Sequence, residues 1–361
     1  PGNKFESIKL FNEKCKESVF TYKKEWEQLT ERMAYWVDMS DPYLTYNNDY
    51  IESLWWVLKQ YWDNKLLYQD YKVVPYCSRC GTALSSHEVA QGYKDVKETS
   101  VFVKFSLGRY QEQPETFILA WTTTPWTLPG NVALAVGADV DYVKVEQAGQ
   151  WLILAKDRLS VLEGEYKIIE EFKGAKMVGW KYQPLFDVLP SSEDRSKAFQ
   201  VVLADFVTTT DGTGVVHTAV MYGEVDFELG QKIGLPKFHT VDEHGKFVSE
   251  VSDFAGKKVK PAEPEIIENL KTRGVLYKTS PILHSYPFCW RCDTQLLYYA
   301  KVSWFIRVTK FKKQLLENNE QINWVPETIK YGRFGDWLEN IKDWAISRER
   351  YWGTPLPIWV C

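Results

Sequence analysis

Four of the six cysteines are spaced as two pairs that could bind a metal ion. Cys77 and Cys80 form one CxxC turn, and Cys289 and Cys292 form another far downstream. Two such turns supply the four thiolates of a tetrahedral structural zinc site. Their separation is too wide for a self-contained zinc ribbon. The spacing therefore predicts a zinc clip at the neck of an inserted domain, without an open catalytic position. The alternative is a set of four buried or redox-active thiols.

Hydroxyl groups are concentrated where a predicted strand ends, at Thr122, Thr123 and Thr124, and Pro125 follows them. A strand that ends in this way offers hydroxyls and free backbone amides at the edge of its sheet. Such a strand end can bind a ribose, a phosphate or a water molecule. Threonine is common in strands, so the run alone indicates little about function.

A histidine and an aspartate follow near the end of the same region. His217 falls on a short β run, where a histidine is more often a satisfied core residue than a catalyst. Asp226 falls near the start of a predicted helix, where a carboxylate can simply complement the helix dipole. Neither residue indicates catalysis by itself.

The elements that must position these residues can be read from the hydrophobic pattern. Apolar residues fall mostly at helical spacing over residues 7–36, and a second helix is predicted after the N-cap candidates at 47–49. Between residues 100 and 220 the pattern is that of short strands separated by turn residues. A helix is predicted over 225–233, ended by Gly234 and Pro236. The predicted fold class is α+β, with these β runs: 101–105, 117–121, 132–136, 142–145, 151–154 and 199–203.

Length and composition limit the class of protein. A chain of 361 residues with 45% hydrophobic residues can form two or three buried cores. The net charge of −4 argues against a protein that coats nucleic acid by bulk electrostatics, although a local basic groove could hold an RNA. No apolar run approaches the roughly 20 residues of a membrane span. Paired CxxC turns in an otherwise cysteine-poor chain favour a reducing compartment, and we expect the cytoplasm.

Taken together and in order, these motifs resemble those of isoleucyl-tRNA synthetase, a class I aminoacyl-tRNA synthetase. The resemblance extends over essentially the whole chain. Valyl and leucyl relatives carry an arginine after the paired threonines, whereas this chain has Thr124, which favours the isoleucyl branch. The segments that carry the resemblance are both CxxC turns and residues 31–38, 50–56, 84–89, 121–131, 211–227 and 344–359.

The resemblance implies a β-barrel-like editing domain inserted between helical and zinc-knuckle segments of an incomplete Rossmann-type catalytic domain. The implied boundaries follow the two cysteine turns. Residues 1–76 are the helical segment before the insertion, and 77–94 form the first knuckle and neck. Residues 95–285 form the editing domain, 286–300 the second knuckle and neck, and 301–361 the return segment.

The implied activity is hydrolysis of tRNA(Ile) that is mischarged with valine, by directly attacking water, with a pocket too small for isoleucine. A ribose hydroxyl of the tRNA is a candidate for assisting the water. The resemblance implies that Asp226 pairs with the α-ammonium group and that His217 lies against the same substrate. The catalytic residues expected on this basis are Asp226, His217 and Thr124, and the substrate-binding residues are Thr122, Thr123, Trp126, Asn131 and Asp226.

The implied cofactors and partners belong partly to a longer enzyme. Zinc is expected as a structural ion, and Cys361 is a candidate first ligand of a second, truncated site. ATP is expected only for the full-length enzyme, because its HIGH and KMSKS motifs are absent from these residues. The expected partners are mischarged tRNA(Ile) and the remaining catalytic and anticodon-binding domains, with no membrane.

One position departs from the family pattern, and two other functions stay open. The family usually has proline after Ala219, where this chain has Val220 and Met221. Because proline pins the backbone, we expect a differently set loop there. The alternatives are an editing domain of the valyl or leucyl type, and a zinc-necked tRNA-binding module without catalysis.

Overall fold

The computed structural model describes residues 3–109 and 113–359, in two compact units. Residues 1–70 and 302–361 belong to the first unit, and residues 71–301 form the second. The candidate ligand Cys361 lies outside the described residues. Within the described ranges, no helix combines the length and the hydropathy that a membrane span requires.

Helices and strands are numbered here along the chain. The helices are α1 (Lys4–Val19), α2 (Lys23–Arg32), α3 (Asn48–Asp63), α4 (Ser86–Ala90), α5 (Glu224–Ile233), α6 (Val259–Thr272), α7 (Lys312–Gln321), α8 (Thr328–Tyr331) and α9 (Arg333–Glu339). The strands are β1 (Leu67–Cys77), β2 (Thr82–Ala83), β3 (Tyr93–Gly108), β4 (Thr116–Thr122), β5 (Ala133–Val136), β6 (Asp141–Gln147), β7 (Gln150–Ala155), β8 (Lys167–Lys173), β9 (Gln200–Leu203), β10 (Val215–Thr218), β11 (Leu276–Pro287), β12 (Leu297–Ile306) and β13 (Trp344–Ala345).

Helix α5 agrees with its local sequence signals. Two acidic residues, Glu224 and Asp226, lie in its first turn, where they complement the positive end of the helix dipole. The helix ends at Gly234, which adopts the left-handed conformation with φ of 75°. The helix predicted over 225–233 is therefore confirmed, with one more residue at its start.

The amino-terminal helices differ from the predicted pattern in two details. The helical spacing over 7–36 is divided between α1 and α2, although neither glycine nor proline marks the break. Asn47 is the N-cap residue of α3, as predicted, but its side chain makes no capping hydrogen bond.

The second unit is built on a curled mixed sheet of nine strands, which confirms the α+β class. Seven strands follow the order β8-β6-β7-β4-β10-β5-β9, and β3 joins β4 to β11. In the same unit β1 also pairs with β2, and in the first unit the end of β12 pairs with β13. All six β runs predicted between residues 100 and 220 coincide with strands of the larger sheet.

Strand β4 is the element that organises this sheet. One of its edges pairs with β3 along nearly its full length, and its other edge is shared by two parallel partners. Its first half pairs with β7, from Thr116↔Trp151, and its last part pairs with β10 at Trp121↔Val216. The end of β4, which carries the threonine run, therefore lies beside the strand that carries His217.

The middle strands are buried on both faces. Along β4, Ile118 and Ala120 pack into one apolar cluster, whereas Phe117 and Leu119 pack into another. A strand covered on both faces appears in the sequence as a continuous apolar run, as 117–121 does. Tight burial on both sides fixes the position of β4 and of the residues at its end.

Strands β3 and β11 form a long antiparallel ribbon that the sequence pattern only partly predicted. Their pairing runs from Leu276↔Val103 to Pro287↔Tyr93. The sequence predicted β3 only over 101–105, because its first half, 93–99, is mostly exposed and polar. Strand β11 is also polar and half exposed, so its sequence has no apolar alternation that would predict a strand.

Replacing Tyr142 by phenylalanine should destabilise this sheet. The buried Tyr142 hydroxyl donates to Gly214 O at 2.6 Å and accepts from Gly137 N at 3.2 Å, so its removal leaves two backbone groups unpaired. We expect the free energy of unfolding to fall by about 1–3 kcal/mol in urea titrations. The matched change Tyr166→Phe, at an exposed tyrosine of the same unit, should leave it nearly unchanged. Equal effects of the two changes would contradict this role.

Candidate functional site

The four paired cysteines converge on one point. The Sγ atoms of Cys77, Cys80, Cys289 and Cys292 all lie within 4.8 Å of one another. Two of the separations are 3.4 Å (Cys77 to Cys292) and 4.0 Å (Cys80 to Cys289). A tetrahedron with Zn–S bonds of about 2.3 Å separates its sulfurs by roughly 3.8 Å. The cluster therefore has the size and chemistry of a four-thiolate metal site.

The two cysteine turns reach this geometry in the same way. The fourth residue after each first cysteine adopts the left-handed conformation: Gly81 with φ of 66° and Asp293 with φ of 58°. Its amide donates back to the carbonyl oxygen of that cysteine, at 2.8 Å for Gly81 and 2.9 Å for Asp293. These closed turns direct each cysteine pair toward the other. All four tetrahedral positions would be filled by sulfur, as in a structural site.

The threonine run at the end of β4 forms a hydrogen-bonded cluster of hydroxyls. Thr122 Oγ1 accepts from Thr124 N at 3.1 Å and lies 3.2 Å from Thr124 Oγ1. Thr127, in the 3₁₀ turn that follows, donates its hydroxyl to Thr124 O at 2.8 Å. Among the hydrogen bonds of the described residues, none joins Thr123 to this cluster, although Thr123 lies within the run. Oxygen atoms of this kind can hold water or the hydroxyls of a sugar.

His217 is connected to this cluster from the neighbouring strand. Its Nε2 lies 3.1 Å from Thr127 Oγ1, and its Nδ1 lies 2.8 Å from Asn131 Nδ2. Burial lowers the pKa of His217 to about 4, because an imidazolium without solvent is unfavourable. The ring is therefore neutral at pH 7. The structure brings Thr122, Thr124, Asn131 and His217 together around the Thr127 hydroxyl.

Asp226 approaches the same strand end from helix α5. Its Oδ2 accepts from Ala219 N at 3.0 Å, two residues after His217 along the chain. A Cβ atom at Gly223 would lie only 2.7 Å from that oxygen, so glycine leaves the space that the carboxylate occupies. Burial raises the pKa of Asp226 to about 6, opposed by the hydrogen bond from Ala219. A buried carboxylate is thus held at the end of β10, the strand that carries His217.

Trp126 forms an apolar wall next to these polar groups. Its buried ring contacts the Tyr222 ring edge-on, with centroids 5.2 Å apart. In the described part of the chain, its Nε1 makes no hydrogen bond although it is buried. The Tyr222 hydroxyl is anchored by the amides of Thr240 and Val241, at 2.7 and 2.9 Å. Trp126 therefore packs against a rigid partner.

The turn that lacks the usual proline is held by other contacts. Tyr222 N donates to Ala219 O at 2.9 Å, and Ala300 N donates to Met221 O at the same distance. Val220 is buried against Gly230 of α5, where any Cβ would collide with it. The turn is therefore closed without proline, by backbone hydrogen bonds and the packing of Val220.

Sequence reasoning missed two members of the polar cluster. Thr127 lies within the predicted motif, and only its neighbours were assigned a role. Tyr182 carried no motif at all, yet its hydroxyl donates to Asn131 Oδ1 at 2.6 Å from 51 residues away. Alternation could not reveal it, because it lies in irregular chain before β9.

Metal binding by the cysteine cluster predicts a stoichiometric ion. Chain purified without chelators should contain about one zinc per chain, because the four thiolates fill one tetrahedral site. Cys289→Ser should lose the metal and lower the thermal unfolding temperature, and a chelator should do the same to the unchanged chain. Cys15→Ser, outside the cluster, serves as the control and should keep both values. Metal content near zero in all samples would overturn the assignment.

The carboxyl group of Asp226 should titrate at a much higher pH than that of an ordinary aspartate. Its folded pKa of about 6 exceeds the value near 3.9 of an unfolded chain. The folded state therefore loses stability as pH rises from about 4 to 6, and the penalty is complete above 6. Asp226→Asn keeps an acceptor for Ala219 N and removes the charge, so it should raise the free energy of unfolding by roughly 1–3 kcal/mol at pH 7. At pH 4 the two chains should be equal.

Two measurements check this titration. The carboxyl ¹³C shift of Asp226, assigned by its loss in Asp226→Asn, should show a midpoint near 6. Urea unfolding of both chains at several pH values should show the difference in stability growing with pH. A midpoint below 4 would show that water or a cation reaches the carboxylate.

Comparison with known proteins places this site in a family. The family model described as "tRNA synthetases class I (I, L, M and V)" matches residues 3–361. The isoleucine--tRNA ligase of Clostridium acetobutylicum is 57% identical over 354 residues, and that of Thermus thermophilus is 50% identical over 357. Each match covers 98% of this chain and 34% of the relative, so the chain spans about a third of their length.

Solved structures of leucyl-tRNA synthetase editing domains are also similar, at low identity. The CP1 domain of GlLeuRS has 13% identity and a TM-score of 0.42, covering 50% of this chain and 99% of that one. The editing domain of the cytosolic enzyme of P. knowlesi has 11% identity and a TM-score of 0.41, with 53% and 99% covered. The family match over residues 3–361, together with the isoleucine--tRNA ligase relatives, shows that this chain belongs to the class I tRNA synthetases of the isoleucine, leucine, methionine and valine group.

Proposed function

We propose that this chain hydrolyses the ester bond of tRNA(Ile) mischarged with valine. The observation that carries the proposal is the buried Asp226 carboxylate, held at the end of β10, the strand that bears His217, whose ring in turn contacts the threonine cluster. A buried carboxylate at this position can hold a cationic amine in a fixed place while the adjacent ester reacts. The similarity to isoleucine--tRNA ligases supports the choice of tRNA and amino acid.

The chemistry needs little more than positioning. An aminoacyl ester is already activated, so an enzyme must chiefly orient the ester and a water molecule and stabilise the oxyanion. In this proposal the hydroxyls of Thr122 and Thr124 bind the attacking water and the terminal adenosine, and Thr123 adds to the same surface. Water attacks the carbonyl carbon, and the tRNA hydroxyl leaves with the proton that the water gives up.

In this proposal Asp226 binds the α-ammonium group of the substrate. At pH 7 its carboxylate is mostly ionised, since its pKa is about 6, and an ammonium group would favour the ionised form further. The cost of keeping this charge away from water is offset when the α-ammonium of the misattached amino acid arrives. Both valine and isoleucine keep a free α-ammonium group when they are esterified to tRNA, so Asp226 does not discriminate between them.

Discrimination is assigned to the size of the pocket. One methylene separates the two amino acids and is worth about 1–3 kcal/mol in a binding pocket, a magnitude for which isoleucyl-tRNA synthetases are themselves the standard example. A second pocket that admits valine and excludes isoleucine adds an independent selection of the opposite sense. Trp126 is the proposed wall, because it is buried and packed against the anchored Tyr222 ring.

The remaining assignments extend to the longer enzyme. We propose that the cysteine cluster binds zinc as a structural ion, and that ATP is used only by the complete ligase. The proposed partners are mischarged tRNA(Ile) and the other domains of the same polypeptide. A cytoplasmic location is proposed because the cysteines of the two CxxC turns are reduced thiols, which persist in a reducing compartment.

Removing the Asp226 carboxylate should abolish hydrolysis of Val-tRNA(Ile). Asp226→Ala leaves the substrate ammonium buried without its partner, so kcat/KM should fall roughly a hundredfold or more. The control is Glu228→Ala, which removes an exposed carboxylate from the same helix and should keep the activity of the unchanged chain. The measurement is release of radiolabelled valine or isoleucine from charged tRNA(Ile), side by side.

The same assay separates the competing functions. Hydrolysis of Val-tRNA(Ile) but not of Ile-tRNA(Ile) supports the proposal. Preference for a mischarged tRNA of valine or leucine would indicate the other editing type. Tight binding of tRNA with the ester left intact would indicate a binding module, and full activity in Asp226→Ala would rule out the assigned role of this carboxylate.

A further inference from the structure

Behind the hydroxyl cluster lies a buried chain of hydrogen bonds with a defined direction. It runs from Tyr182 through Asn131 and His217 to Thr127, over distances of 2.6, 2.8 and 3.1 Å between successive polar atoms. All four residues are buried, so bulk water cannot exchange these partners freely. In such surroundings nearly every donor meets an acceptor, which makes the direction of these bonds a property of the fold.

The direction is fixed at Asn131. Its amide group contacts the backbone carbonyl of Ala133 at 2.9 Å, and a carbonyl can only accept, so this side of the amide is the NH₂ group. The same NH₂ group lies 2.8 Å from Nδ1 of His217, which must therefore accept. The amide oxygen then faces Tyr182, whose hydroxyl donates to it at 2.6 Å.

We infer that Tyr182 is a positioning residue, which acts through Asn131 to hold His217 as the neutral tautomer with its proton on Nε2. The geometry uses every hydrogen-bonding atom of the Asn131 amide inside the protein. Both hydrogens of the Asn131 amide and one lone pair of its oxygen are paired inside the protein, so Asn131 acts on the site through His217. The consequence for catalysis rests on the proposed function, whereas the tautomer itself does not.

The tautomer decides what the threonine cluster presents. With the proton on Nε2, His217 donates to Thr127 Oγ1, and Thr127 donates its own proton to Thr124 O. In the 3.3 Å contact between the Thr124 and Thr127 hydroxyls, Thr124 is then the donor, and the Thr122 hydroxyl, 3.2 Å away, can donate to one of the two lone pairs of Thr124 Oγ1. A lone pair of Thr124 Oγ1 is left to accept a hydrogen from water. A water molecule that donates one hydrogen to Thr124 Oγ1 has its lone pairs directed away from Thr124. Those lone pairs are then free to attack the ester carbon.

Tyr182 is suited to this role by its packing as well as by its hydroxyl. Its ring meets Phe105 and Phe199 edge-on, with centroids 5.2 and 6.2 Å apart. Tyr182→Phe therefore keeps the ring contacts and deletes only the donor to Asn131. The buried amide oxygen loses its partner, and the amide is no longer held on all of its polar sides.

The tautomer can be read directly by NMR. The chain contains five histidines, and ¹⁵N labelling of their rings, with His217→Gln for assignment, gives the two nitrogen shifts of His217. At pH 7 we expect a protonated Nε2 and an unprotonated Nδ1. A proton on Nδ1, or a doubly protonated ring, would overturn the inference whatever the activity of the chain.

Two changes test the part played by Tyr182. Tyr182→Phe should shift the His217 nitrogens toward a mixture of tautomers, and should lower kcat for Val-tRNA(Ile) hydrolysis about tenfold at unchanged KM. Tyr142→Phe is the control, since it also removes a buried hydroxyl bond in the same unit but lies outside this chain of bonds. It should leave the His217 shifts and kcat as they are. Unchanged shifts in Tyr182→Phe, or equal shifts in both variants, would refute the role.

A second variant covers the case in which Tyr182→Phe does not fold. Asn131→Asp keeps an acceptor for Tyr182 and replaces the donor to His217 by an acceptor of the same size. Nδ1 should then become protonated, because it faces an acceptor, and an Nδ1 that stays unprotonated would refute the inference. If the unchanged chain hydrolyses no mischarged tRNA while these shifts appear, the proposed function fails and the positioning role stands.

Discussion

The pairing of β10 with β4 on one side and β5 on the other is the interaction on which the site depends. Trp121 lies opposite Val216, and His217 lies opposite Leu134, so two segments distant in sequence meet at one sheet position. The backbone hydrogen bonds of these strands fix the register, and a shift by one residue would turn His217 to the other face. Burial of β4 on both faces makes such a shift costly. The register of the strands therefore sets the positions of the site residues.

Within this frame, polar groups are buried for two different reasons. The groups from Tyr182 to Thr127 satisfy one another, so they define geometry without carrying charge. Asp226 is different, because burial opposes its ionised form and only one backbone amide stabilises it among the bonds described. A carboxyl group whose pKa is raised by burial is common at binding and catalytic sites. The contrast separates residues that position from the residue proposed to bind.

The cysteine cluster constrains a different part of the same unit. Cys77 ends β1, and the second pair follows β11, whose long ribbon with β3 continues into the nine-stranded sheet. A metal held by both turns would join the beginning and the end of the unit's chain. This removes conformational freedom from the unfolded chain, since a crosslink between distant residues closes a long loop. The half of β3 next to the cysteine turns, residues 93–99, is mostly exposed and polar, so it buries little apolar surface of its own.

The sequence by itself determined the features that depend on local chemistry. The CxxC spacing predicted that the two cysteine turns converge, the apolar runs predicted the middle strands, and Gly234 predicted the end of α5. The order of the motifs indicated the family. Only the tertiary structure decided which donors and acceptors meet, because those contacts join strands and loops far apart in the chain. Tyr182 had no local signature, and the carboxylate of Asp226 gained its raised pKa only from burial beside Ala219.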